Sequence, residues 1–201
     1  MNYAEKKFNL PSLEGISDES VKQHLALYAG YVKNFNAMSA QINELAGIDH
    51  EKYAIALGEL ARRRAFEFDG MRLHEHYFAQ LEGGTKEISK GGVLTQMLDK
   101  EYRGADNLVS MMKLVASVRG PGWAILYWDR EAGQPLSGFV GEQHQGHFVT
   151  LPILLALDVW EHAYILDYGA SGRGTYIDAF FKNLNWGVVE SRFAKLSAPE
   201  R

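Results

Sequence analysis

Leu157-Asp158-Val159-Trp160-Glu161-His162-Ala163-Tyr164 follows a run of apolar residues, Leu151 to Ala156. A buried strand should therefore lead straight into a segment with an aspartate and a histidine four positions apart. Polar and charged groups are costly to take out of water alone, so both side chains need partners. A metal ion suits both, because carboxylate oxygen and imidazole nitrogen are donors for first-row transition metals. An Asp-x-x-x-His pair also arises by chance on surface helices. What decides between the two is whether the chain brings further donors to the end of that strand.

Composition narrows the options. The chain has 201 residues, 46% hydrophobic and 23% charged, which is ordinary for a globular protein with a sizeable core. Twenty-one basic residues face 25 acidic ones, a net charge of −4, which argues against a phosphate-binding surface and hence against a nucleic-acid partner. No apolar run approaches the length of a membrane span, and residues 1–13 lack the apolar stretch of a secretory signal, so a cytoplasmic protein without membrane contact is expected. There is no cysteine. Disulfides, thiolate zinc sites and cysteine nucleophiles are excluded, and any metal must be held by His, Asp or Glu.

Residues 1–16 read as an irregular arm broken by Pro11 and Gly15. Ser17 is a good N-cap, with Ile16 placed to staple onto Val21. From there to about residue 45, His24, Tyr28, Tyr31, Phe35, Met38 and Ile42 recur at steps of three and four, one face of a long helix. A turn around Gly47-Ile48-Asp49 leads into a second helix, about 51–81, striped by Tyr53, Leu57, Leu60, Met71, His74, Phe78 and Leu81 and ended by Gly83-Gly84. Two long helices and a short turn make an antiparallel hairpin, with a histidine on each stripe. The plain reading of such a histidine is a core residue bonded to a carbonyl.

Gly91-Gly92 marks entry to a second half, so the expected domains are 1–88, the helical hairpin, and 89–201. Shorter helices are expected at about 93–102 and 106–118. After the break at Gly120-Pro121-Gly122 come strands at about 123–128, 136–140 and 151–156, and then helices at about 176–184 and 186–196. Helices, then strands, then helices give an α+β class: a hairpin followed by a small three-stranded antiparallel sheet flanked by helices.

The octet resembles the Asp-x-Trp-Glu-His-Ala-Tyr signature of the iron/manganese superoxide dismutases, and the likeness extends along nearly the whole chain. Leu10-Pro11-Ser12-Leu13 is similar to that family's Leu-Pro-x-Leu arm, and Tyr31-Val32 with Asn36 to its Tyr-Val-x-x-x-Asn. Gly120-Pro121-Gly122-Trp123 is similar to its Gly-Ser-Gly-Trp entry, and Asn185-Trp186 to its Asn-Trp. The resemblance implies four ligands, His24, His74, Asp158 and His162, holding one Mn or Fe ion per subunit together with a solvent molecule. His76 and Glu75 are poorer candidates, and Glu75 is expected on a solvated face.

The resemblance further implies disproportionation of superoxide to oxygen and hydrogen peroxide. Tyr31 would gate entry and relay protons, Trp123, Trp160 and Phe78 would wall off water, and Arg173 would draw the anion in. Glu161 would reach His162 of a second subunit in a homodimer or homotetramer. His24 stands one residue closer to Tyr31 than in the commoner family pattern, but seven residues is about two helical turns, so both side chains can share a face. Where the family often pairs a His and a Tyr across its dimer, this chain has Leu27 and Ile165. The residue bonding the metal's solvent would be Gln143 or its neighbour His144. Gly70, at the position from which iron-type members often supply a Gln, tilts the reading toward manganese or either metal. Two other readings are a two-His-one-carboxylate iron oxygenase and a non-catalytic relative that keeps the fold.

Overall fold

The computed structural model describes residues 2–198. Helix α1 spans Asp18–Asp49 and α2 Ala54–Ala79, packed as the expected hairpin. Ser17 caps α1: its side chain accepts from the Ser20 amide at 3.1 Å, with Asp18 and Glu19 in the first turn to complement the helix dipole. The turn lies later than expected, because α1 runs through Gly47. The break comes where the Asp49 side chain accepts from the Lys52 amide at 2.9 Å, a local bond that competes with the helix.

The N-terminal arm lies on this hairpin. Phe8 packs against Tyr28 and Phe78, and the Asn36 side chain exchanges two hydrogen bonds with the Tyr3 backbone. Burial along the two helices is uneven. His24, Tyr28 and Val32 on α1, and Phe66, Met71, Leu73, His74, Tyr77 and Phe78 on α2, are covered, while the expected stripe residues toward the turn are only half-buried.

Helices α3 (Val93–Tyr102) and α4 (Ala105–Ala116) lead to the sheet: β1 (Gly122–Asp129), β2 (Gln134–Gly141) and β3 (Ile153–Asp158), antiparallel in the order β2-β1-β3. Gly122 opens β1 because nothing larger fits: a Cβ there would lie 2.1 Å from the Val140 carbonyl oxygen. Strand β1 is buried on both faces through Trp128, which explains its unbroken apolar run. Strand β3 starts two residues later than expected. Thr150 sits at φ 70°, and Pro152 has no N–H to give the ladder and instead accepts from Trp128 N at 2.9 Å.

A short turn of helix, η1 (Glu161–Ala163), follows β3, then α5 (Ile165–Tyr168), α6 (Arg173–Asn183) and α7 (Trp186–Leu196). α6 starts earlier than expected, so Arg173 stands in its first turn. The core joins all these elements, with Met71, Met97 and Met112 buried among Leu, Ile and aromatic side chains. Each fully covered Leu or Ile contributes about 1.5–3 kcal/mol. Arg192 of α7 ties the layers together: it donates to the carbonyls of Leu154 and His76, both at 2.9 Å, and to Gln80 Oε1 at 3.2 Å. Burial lowers its pKa to about 10.

Candidate metal centre

The hairpin and the end of β3 meet at one point. His24 comes from α1, His74 from α2, Asp158 from the last residue of β3 and His162 from η1. One donor atom from each lies within 4.8 Å of all the others. Nε2 of His24 and Nε2 of His162 each stand 3.1 Å from Asp158 Oδ2, and Nε2 of His74 stands 3.6 Å from it. Metal bonds of about 2.1 Å place neighbouring donors about 3–4 Å apart, so this spacing suits a single ion.

One detail shows that the chain's own hydrogen bonding does not satisfy this cluster. The Nδ1 of His74 bonds the Gly70 carbonyl at 2.6 Å, as a plain core histidine would, and this fixes the tautomer so that Nε2 presents its lone pair. That Nε2 is buried and has no hydrogen-bond partner. Asp158 is fully buried; its other oxygen accepts from the Trp160 amide at 2.8 Å.

Electrostatics favour ligation. Burial lowers the pKa values of His24 and His74, the latter to about 3, so both are neutral donors at ordinary pH. Burial alone would raise the Asp158 carboxyl, but His162 and His24 outweigh it and keep the group ionised. Three neutral-capable imidazoles and one carboxylate form the hard-to-intermediate N/O donor set appropriate to Mn or Fe.

Around the donors lies an aromatic shell. The ring centroid of Trp123 is 5.1 Å from that of His74, Phe78 is 5.0 Å from His24, and Trp160 stacks on His162 at 5.7 Å. The sheet register sets Trp123 directly beside Asp158. Gln143 is fully buried, its carboxamide oxygen accepting from Trp123 Nε1 at 2.8 Å and its nitrogen donating to Tyr31 Oη at 2.9 Å. The Tyr31 ring is 5.0 Å from His74, and burial and then the Asp158 charge raise its phenol pKa.

Of the two loop candidates, His144 is placed differently. Its ring packs on Phe66 at 5.5 Å, and its Nδ1 is 3.9 Å from Glu142 Oε2. Arg173 donates to the Gly120 carbonyl at 3.0 Å, while its Nε and Nη2 are buried without hydrogen-bond partners. Glu161 is exposed beside His162.

Glu75 is not on a solvated face. It is buried and accepts from Arg72 at 2.8 Å, Lys6 at 2.6 Å and the Tyr28 hydroxyl at 3.3 Å. Burying a carboxylate requires such cations, and one of them comes from the N-terminal arm, a contact that helix periodicity cannot reveal. Sequence reasoning also passed over His147, whose ring bonds both Tyr127 Oη and the Gln143 carbonyl. It lies in an irregular loop without periodicity, and its spacing of four from Gln143 was the only available hint.

The family described as iron/manganese superoxide dismutases, C-terminal domain, matches residues 90–192. The chain is 35% identical over 190 residues to a superoxide dismutase [Fe] of Aquifex aeolicus, covering 92% of this chain and 87% of that one. It is 30% identical to a superoxide dismutase [Fe] of Saccharolobus solfataricus over 94% of this chain and 95% of the relative. A superoxide dismutase [Mn] of Mycolicibacterium smegmatis is 31% identical over 85% and 81% of the two chains. With a hairpin and a small sheet delivering three histidines and one aspartate to a common point, the chain belongs to the iron/manganese superoxide dismutase family.

Proposed function

We propose that this protein disproportionates superoxide to oxygen and hydrogen peroxide, with His24, His74, Asp158 and His162 holding one manganese or iron ion. The observation that carries this reading is the convergence of four donors within 4.8 Å, one of them a buried, unpartnered imidazole nitrogen. When bound by these four residues, the ion would supply the one-electron redox chemistry that disproportionation needs. Everything else falls to the chain.

Arg173 faces Tyr164, Glu161 and Asp158, and its two free donor nitrogens suit it to draw a small anion toward the site. Trp123, Trp160 and Phe78 exclude water from around the donors and so strengthen the electrostatics inside. Reduction of superoxide to peroxide consumes protons, and Tyr31 Oη is suited to hold one: its pKa is raised, so the phenol stays protonated. Gln143 Nε2 carries two hydrogens, and one goes to Tyr31 Oη. The second is free to bond the solvent molecule accompanying the ion, which favours Gln143 over His144 for that role.

A homodimer is part of this reading. Glu161, Leu27 (41% exposed) and Ile165 (48% exposed) lie on elements in contact, α1, η1 and α5. In a two-fold pairing, Glu161 would bond His162 of the second copy and the two apolar side chains would be covered. The cytoplasm is the compartment proposed, on the sequence grounds given above; among the described residues no helix is long and apolar enough to cross a membrane.

The test is protein reconstituted separately with manganese and iron, with metal content and superoxide dismutation measured together. At least one form should be active with about one ion per chain, and His74→Ala should lose both metal and activity. A His74→Ala protein that kept both would point instead to a three-ligand iron oxygenase. Freshly purified protein containing neither metal would point to a non-catalytic relative.

A further inference from the structure

The Gln143 side chain is gripped by Trp123 and Tyr31, but its backbone belongs to an irregular loop. Glu142, immediately before it, has φ 51°, a left-handed conformation that a residue with a Cβ adopts only at a cost. Something must hold the loop in this form. The Glu142 amide donates to the Pro121 carbonyl at 3.1 Å, and its own carbonyl accepts from Trp160 Nε1 at 3.2 Å. The Gln143 carbonyl oxygen is 3.0 Å from His147 Nε2, and His147 Nδ1 is 2.8 Å from Tyr127 Oη.

For a neutral ring these contacts leave one arrangement of protons. A carbonyl can only accept, so Nε2 carries the hydrogen. In the neutral ring Nδ1 is then the acceptor, and the Tyr127 hydroxyl must donate to it. Tyr127 is buried on β1, the same strand as Trp123. The central strand therefore holds Gln143 twice: directly through the Trp123 indole on the carboxamide, and through Tyr127 and His147 on the main-chain oxygen.

We propose that His147 is a positioning residue for the metal centre. Fixed in one tautomer by Tyr127, it sets where the Gln143 carboxamide points, and through it the potential and metal preference of the bound ion. The proposal rests on the reading that Gln143 bonds the metal's solvent. The hydrogen bonds of the His147 ring go to Tyr127 and Gln143 and to none of the four donors.

The experiment uses the full chain loaded separately with manganese and with iron. Gln143→Ala, His147→Leu, His147→Gln, Tyr127→Phe and the double variant His147→Leu/Gln143→Ala are compared by midpoint potential, by the ratio of iron to manganese activity, and by melting temperature. His147→Leu should move the potential in the same direction as Gln143→Ala and change the activity ratio about tenfold, the low end of what partners behind metal ligands contribute. Tyr127→Phe should move both less. His147→Gln, which keeps a donor for the Gln143 carbonyl, should return them toward the parent. In the double variant the His147 change should add nothing, because it acts through a side chain no longer there.

Two results would overturn the proposal: parental potentials in His147→Leu with only a lower melting temperature, or a His147 effect that survives in the Gln143→Ala background. If Gln143→Ala alone leaves both potentials unchanged, the reading of Gln143 falls, and the His147 proposal with it. A shift there with none at His147 sinks the second claim alone. Should His147→Leu fail to fold, Tyr127→Phe carries the comparison: a shift in the direction of Gln143→Ala supports the proposal, and parental potentials overturn it.

Discussion

At the scale of single residues, the histidines show how similar side chains are assigned different work by what surrounds them. His74 and His76 are two apart on α2 and so face different directions. His74 points into the donor cluster. His76 lies beside Arg192, Lys6 and Arg72, its Nδ1 buried without a partner, and burial followed by those cations pulls its pKa down to about 3. The consequence for stability has a definite sign. Between about 6.5 and 3 the unfolded chain binds a proton that the folded protein excludes, so stability falls as pH drops through that window, at up to about 1.4 kcal/mol per pH unit from this group. His76→Leu should therefore flatten the pH dependence of unfolding below about pH 6.5 relative to the parent, measured by urea denaturation at several pH values. Equal slopes in the two proteins would refute the assignment. The separation of His74 from His76 was legible from helical periodicity. The burial of Glu75 was not, since Lys6 comes from an arm whose path no local pattern specifies.

At the scale of elements, the hairpin is the part of the fold most open to sequence reading, because apolar spacing and a Ser cap are local signals. The closeness of its two helices is not. At Gly70 a Cβ would lie 2.6 Å from Tyr31 Cδ1, so α2 can approach α1 only where a side chain is missing. The same glycine gives Tyr31 its place against Gln143. Gly70→Ala should cost about 1–3 kcal/mol through overpacking and lower the dismutation rate by displacing Tyr31, while metal content stays at the parental level. Thermal unfolding and single-metal assays test this; unchanged melting together with an unchanged rate would show that the ring has room to move aside. The sheet's strands were recognisable as apolar runs. Their register was not, and it is register that sets Trp123 beside Asp158. The start of β3 was misplaced for a related reason: Pro152 is apolar enough to extend the run but cannot donate to the ladder.

At the scale of the whole molecule, the surface around η1 is where a second copy would sit. Lysine at Leu27 and at Ile165 should be tolerated by the lone chain, whose core reaches neither position, but should oppose pairing by placing charge where apolar cover is needed. Sedimentation should show the proposed dimer for the parent and monomer for Leu27→Lys/Ile165→Lys at the same concentration; a parent that is itself monomeric would refute the pairing, and a variant that still dimerises would move the interface elsewhere. The two halves of the chain are already joined within one copy, since His24 and Asp158 stand 134 residues apart in sequence and 3.1 Å apart in space.

The sulfur chemistry of the chain fits the product of its proposed reaction. Peroxide attacks thiolates fastest and thioethers next, and this chain has no cysteine at all. Three of its methionines, Met71, Met97 and Met112, lie inside the core, where a diffusing oxidant reaches them only when the fold opens. Met38 is half-buried and Met111 is 41% exposed, so of the described methionines it is Met111 that the released peroxide should oxidise first.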